Sequence, residues 1–266
     1  MNETVLWALG ATLGTWGLTA LGAAIVLFFS SPNRKIMNLS LGFSAGVMIA
    51  ASFWSLLEPA IERAEERSKA PAYIVATLGF LFGAIFMWAS DKIVTRAQKK
   101  AYAKDGQNGA SMSRMIMLIL SITLHNIPEG LAVGVAFGVL GSDPSPEGIM
   151  GALTIAIGIG LQNFPEGAAV SLPLRREEYS RKKSFFLGQA SGTVEPVAGV
   201  LGALLVVRIE AILPFALSFA AGAMILVAVH ELIPECRQDM EDKPYFSTMG
   251  IIIGFASMML LDVMLG

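Results

Sequence analysis

Eight stretches of predominantly apolar residues follow one another along the chain, at 5–29, 36–57, 71–90, 114–140, 149–173, 184–207, 211–235 and 246–265. Each is long enough to cross a hydrocarbon core of roughly 30 Å as a helix, which takes about 20 residues. Clusters of Pro, Ser, Asn and charge separate them, such as Ser31-Pro32-Asn33-Arg34-Lys35 and Arg175-Arg176-Glu177-Glu178. The longest connection, about 91–113, is expected to be a flexible basic loop. The pattern predicts an all-α polytopic membrane protein of eight transmembrane helices. Residues 1–266 form a single transmembrane domain, with too little chain left over for a separate soluble one.

Charge orients the spans, because Lys and Arg are retained on the cytoplasmic side. Connections one, three, five and seven hold 15 of the 19 basic residues, and the opposite side holds 4. Both termini are therefore expected outside, and an even number of spans agrees with termini on one face. Within the first twenty residues the only charge is Glu3. A cleavable signal needs a basic start, so the first apolar run is expected to stay as a span.

Composition narrows the class. The chain is 54% hydrophobic and 15% charged, with a mean hydropathy of +0.62, against about a quarter charged in soluble domains. An ordinary soluble enzyme is excluded. A net charge of −2 lacks the basic face that nucleic acid requires. One cysteine, Cys236, excludes an intrachain disulfide and a Cys-built zinc or iron–sulfur site. Glycines recur four residues apart, as in Gly10/Gly14, Gly42/Gly46, Gly79/Gly83, Gly130/Gly134/Gly138 and Gly250/Gly254. Such faces let helices approach closely in lipid. Spacing alone leaves open whether they serve packing or a smooth sliding surface.

Chemistry enters where the spans break the apolar rule. The fourth reads His125-Asn126-Ile127-Pro128-Glu129-Gly130 and the fifth Gln162-Asn163-Phe164-Pro165-Glu166-Gly167, one motif repeated at an offset of 37 residues. The sixth carries Glu195-Pro196, and the seventh ends His230-Glu231-Leu232-Ile233-Pro234-Glu235. His125 and Glu129, like Gln162 and Glu166, stand at i and i+4 and share a helix face. Each proline frees a carbonyl four residues back and bends its helix. An ionisable residue at mid-bilayer costs roughly 2.5–3.5 kcal/mol, so three carboxylates would cost on the order of 10 kcal/mol. Protonation or a divalent cation removes that cost. Imidazole and amide oxygens beside the acids, with no thiolate, suit Zn²⁺, Fe²⁺, Mn²⁺ or Co²⁺ better than Ca²⁺.

At these residues the sequence resembles the ZIP (Zrt/Irt-like) family of divalent metal transporters, and most of all its bacterial GufA-type branch. The resemblance implies two adjacent metal positions in mid-membrane. One would use His125, Glu129, Gln162 and Glu166, with the thioether of Met48 from the second span. The other would use Asn126, Asn163, Glu166 and Glu195, with Glu129 and Glu166 bridging. It also implies His230 and Glu231, with Asp91, near the cytoplasmic end of the path, and Ser55 and Glu62 at the entrance. Some members carry Asp where this chain has Asn163, which makes the second position one negative charge poorer.

The function expected is movement of a divalent transition metal, Zn²⁺ first, into the cytoplasm by alternating access. In similar proteins helices one, four, five and six move against two, three, seven and eight, and homodimers are common. The metal is cargo, so no cofactor is expected; the partners are metal ions, the lipid bilayer and a second copy, with no nucleic acid. The membrane expected is a bacterial inner membrane. Two rivals are a channel or proton-coupled carrier of another substrate, against which the His and Met donors argue, and an intramembrane metallohydrolase. For the latter, His230-Glu231 begins an HExxH motif, but position 234 is Pro and the second histidine is missing.

Overall fold

The computed structural model of the protein describes residues 3–29, 34–68, 70–141, 145–176, 179–208, 210–237 and 245–265, without the side chains of 34, 67, 98, 101–119, 121–122, 176, 208 and 210. Every regular element described is helical. Helix α1 spans Glu3–Phe28, and α2 (Arg34–Ala51) continues through a π-helical turn into α3 (Glu58–Arg67). Then come α4 (Ala72–Gly138) and α5 (Pro146–Arg176). A 3₁₀ turn at Ser191–Thr193 joins α6 (Arg181–Ala190) to α7 (Val194–Arg208). A π-helical turn at Ala228–Leu232 joins α8 (Leu213–Val227) to α9 (Ile233–Arg237), and α10 (Tyr245–Leu265) ends the chain.

Among the described residues, seven helical segments are long and apolar enough to cross a membrane. They coincide with seven of the eight stretches read from the sequence. The remaining stretch, 114–140, is the last part of α4 and begins among side chains outside the described ones. Outward-facing residues such as Leu21, Phe28, Phe82, Ile85, Leu201 and Val263 are exposed, as a lipid-facing surface requires.

Where a flexible loop was expected at 91–113, α4 is helical throughout its 67 residues. Proline stands at its N-cap, Pro71, and inside it only at Pro128. The intervening Ala, Gln and Lys are good helix formers. The helix is nevertheless not straight. His230 lies 4.0 Å from Asp91, and its neighbour Glu231 lies 2.7 Å from His125. Straight helix would separate Asp91 from His125 by about 51 Å, so α4 bends back sharply between them. Its two ends lie in different parts of the molecule.

The glycines decide how those parts are built. A Cβ at Gly83 would land on the Phe219 carbonyl of α8, and one at Gly46 on the Ile251 carbonyl of α10. At Gly134 it would strike Gly199 of α7, and at Gly22 the Phe164 carbonyl of α5. Among the described residues, such backbone-on-backbone contacts fall inside three groups. One holds α1, the C-terminal end of α4, α5 and α6–α7, a second pairs α2 with α10, and a third pairs the N-terminal end of α4 with α8. Between the groups, Gly158 of α5 meets only the flexible Met258 side chain of α10. The glycines here fasten helices within a group. Gly10 and Gly14 are the exception to the packing expectation, since nothing lies within 4 Å of where their Cβ would be.

Gly134→Ala should therefore force α4 and α7 apart and lower stability by about 1–3 kcal/mol, while Gly10→Ala should leave it unchanged. Thermal unfolding in detergent micelles distinguishes the two.

Candidate metal centre

The two repeated motifs lie on α4 and α5, with Pro128 and Pro165 inside helices that continue past them. A proline within a helix withholds one donor, so the carbonyls of Leu124 and Leu161 lose their usual partner. The glycine that ends each motif sets the distance to the next helix. Gly130 lies against the Glu195 backbone of α7, and Gly167 against the Thr19 carbonyl of α1. Glu129 and Glu166, each one residue earlier, are thereby brought level with α7 and α1.

Met48, His125, Asn126, Glu129, Gln162, Asn163, Glu166 and Glu195 are all buried, with Glu129, Gln162 and Glu195 fully so. Side chains from α4, α5 and α7 meet there in pairs. Gln162 Nε2 donates to Glu129 Oε1 at 2.6 Å. Asn163 Nδ2 donates to Glu195 Oε2 at 2.9 Å, and Thr15 Oγ1 of α1 reaches the same oxygen at 2.5 Å. Thr19 Oγ1 stands 3.4 Å from the other oxygen, Oε1. Asn126 Nδ2 donates to the Ser191 carbonyl at 2.9 Å, in the 3₁₀ turn before Glu195. His125 turns toward Glu231, with its Nε2 2.7 Å from Oε1 but not aligned as a hydrogen bond, so that Oε1 stays unpartnered. His230 is 64% exposed and faces Asp91. Met48 is buried in the main apolar cluster.

The amide nitrogens are thus spent, and what remains is oxygen. Asn126 Oδ1, Glu129 Oε2, Gln162 Oε1, Asn163 Oδ1 and Glu166 Oε1 are buried without any hydrogen-bond partner. All five are acceptors. Each unmatched buried acceptor costs about 1–3 kcal/mol. A cation is the partner that satisfies several oxygens at once. Among the described residues, no three His, Cys, Asp or Glu side chains converge closely enough to hold a metal by themselves. The amide oxygens of Asn126, Gln162 and Asn163 are needed to complete a ligand set.

Sequence reasoning missed the contribution of α1. Thr12, Thr15 and Thr19 are buried on one face of that helix, and two of them address Glu195. Their spacing was visible, but a threonine hydroxyl in a membrane helix ordinarily bonds its own helix carbonyls, as Thr12 does to Ala8 at 2.7 Å. Nothing in the sequence marks which of the three looks across.

The family profile described as ZIP Zinc transporter matches residues 96–262. The chain belongs to the ZIP family. Among its ZIP relatives, the human zinc transporter ZIP11 is 39% identical, with 100% of this chain and 99% of that protein covered. The zinc transporter GufA of Myxococcus xanthus is 35% identical over 93% of this chain and 94% of its own. The zinc transporter ZIPB of Bordetella bronchiseptica is 33% identical, covering 97% and 81%. These relatives carry the names of transporters and not of enzymes, in line with the reading from the sequence, and the GufA-type likeness seen there holds.

Replacing Gln162 by Leu should strand Glu129 Oε1 as a further buried acceptor and destabilise the metal-free protein by about 1–3 kcal/mol. Thermal unfolding with a chelator present checks this.

Proposed function

We propose that the protein carries a divalent transition metal, Zn²⁺ first, across a membrane into the cytoplasm. The carrying observation is the set of five buried, unpartnered oxygen acceptors contributed by α4 and α5. The ZIP relatives, each named a zinc transporter, support the choice of metal. The site is read as lying at mid-membrane on the fourth, fifth and sixth of eight spans. The two positions implied by the family resemblance share Glu129 and Glu166, so occupancy by one ion or by two uses the same carboxylates. Both termini are placed outside by the distribution of Lys and Arg, the membrane is read as a bacterial inner membrane, and the assembly as a homodimer within the bilayer.

The residues divide the work. Gln162 holds Glu129 through one oxygen and leaves the other for cargo, with its own carbonyl oxygen beside it. Asn126 is fixed through its nitrogen to Ser191, which turns its oxygen free. Held carboxylates lose less freedom when an ion arrives, and amide oxygens bind less tightly than thiolates. Structural zinc sites reach about 10–16 kcal/mol; a carrier must bind more weakly in order to release. His125 and Glu231, with His230 and Asp91 one step further on, offer successive donors toward the cytoplasmic end.

Alternating access is supported by the glycine-fastened groups, which hold α1, the C-terminal end of α4, α5 and α6–α7 together and apart from the other helices. The candidate ligands of α4, α5 and α7 all lie in that group, and Met48, His230, Glu231 and Asp91 lie on the other helices. Among the polar contacts described, Ser44 Oγ to the Gln162 carbonyl at 2.7 Å and the His125–Glu231 approach cross between them. Movement of that group past the other helices would break these two contacts.

Purified protein in liposomes containing a metal-sensitive dye should show saturable Zn²⁺ or Cd²⁺ influx. His125→Ala or Glu166→Ala should reduce that influx to the level of empty liposomes. Wild-type flux equal to empty liposomes would refute transport, and unchanged flux in a folded Glu166→Ala would refute the site.

A further inference from the structure

We infer that the pocket binds one divalent cation on the side of Glu129 and Glu166, and that hydroxyls of α1 withdraw Glu195 from metal binding. This rests on the transport reading and narrows it. Glu129 and Glu166 each keep one oxygen without a partner, whereas neither oxygen of Glu195 is unpartnered. Glu195 Oε2 takes both the Thr15 hydroxyl at 2.5 Å and the Asn163 amide at 2.9 Å. The Thr15 hydroxyl also lies 3.1 Å from the Thr12 carbonyl, but it has a single proton, and the nearer acceptor takes it. Thr19 adds a weaker contact to Oε1 at 3.4 Å.

Asn163 is the residue on which this turns. Its amide nitrogen faces a carboxylate, which fixes the orientation of the side chain, since only the nitrogen donates. An aspartate at 163 would set two acceptors face to face, and only a cation or a proton could reconcile them. With asparagine, the amide nitrogen satisfies Glu195 Oε2 and leaves Asn163 Oδ1 for the ion, while α1 supplies the other donors to Glu195. Glu195 then acts as a strut that ties α1, α5 and α7 together around the ion without touching it. Thr15 and Thr19 are positioning residues for that strut.

Zinc bound per chain, counted by equilibrium dialysis of the full-length protein in detergent with ZnCl₂ as the probe, tests this directly. Glu195→Gln should keep the wild-type count and change affinity by less than about tenfold, while Glu166→Gln should weaken binding by more than about a hundredfold, beyond the range of changes around a ligand shell. Asn163→Asp should add one ion per chain over the wild type, and Glu195→Gln in that background should remove it again. Thr15→Val should lower the thermal midpoint of the metal-free protein and leave the count unchanged. A wild-type count that falls by one in Glu195→Gln, or no gain in Asn163→Asp, would overturn the inference while transport stands. Zinc binding undiminished by Glu129→Gln with Glu166→Gln would instead overturn the transport site itself.

Discussion

Carboxylates in a hydrocarbon slab must be given partners, and the architecture around Glu129, Glu166 and Glu195 follows from that demand. Neighbouring helices supply several of the partners. Gln162 serves Glu129, while Asn163 and Thr15 serve Glu195. Every such bond joins two different helices. The polar cluster thereby helps fix which helices are neighbours, and the buried surroundings make each bond costly to lose.

The solution is unequal among the three acids. Both oxygens of Glu195 meet neutral donors, whereas Glu129 and Glu166 retain unmatched oxygens. A cluster satisfied throughout would be a structural rivet with no reason to admit an ion. A cluster satisfied nowhere would not fold unless metal were already present. Partial satisfaction permits a stable empty state and an attractive filled one, as a carrier that cycles between them requires.

Much of this was legible in the chain. The spans could be read because bilayer thickness imposes one length on them all, and the doubled Asn-x-Pro-Glu-Gly motif because charge is rare in lipid. The reach of α4 through 91–113 was hidden, since basic, glycine-containing sequence reads as loop while its Ala, Gln and Lys favour helix. The glycine repeats could be seen, but not the helices they face, which is why Gly10 and Gly14 misled. Thr15 and Thr19 escaped because hydroxyls are quiet in composition and their direction is set by a helix far away in sequence. His125 shares a face with Glu129 in a helical wheel, yet its ring is turned toward Glu231, a choice made by tertiary contact.

Gly130 and Gly167 carry no chemistry of their own, yet each follows a glutamate directly and lies against the backbone of the helix opposite. Any side chain there would act as a wedge, lifting the acid-bearing helix away from α7 or α1. The spacing of the helices that carry these acids is consequently governed in part by two atoms that are missing, and a single added methyl at either place would shift a carboxylate without touching it.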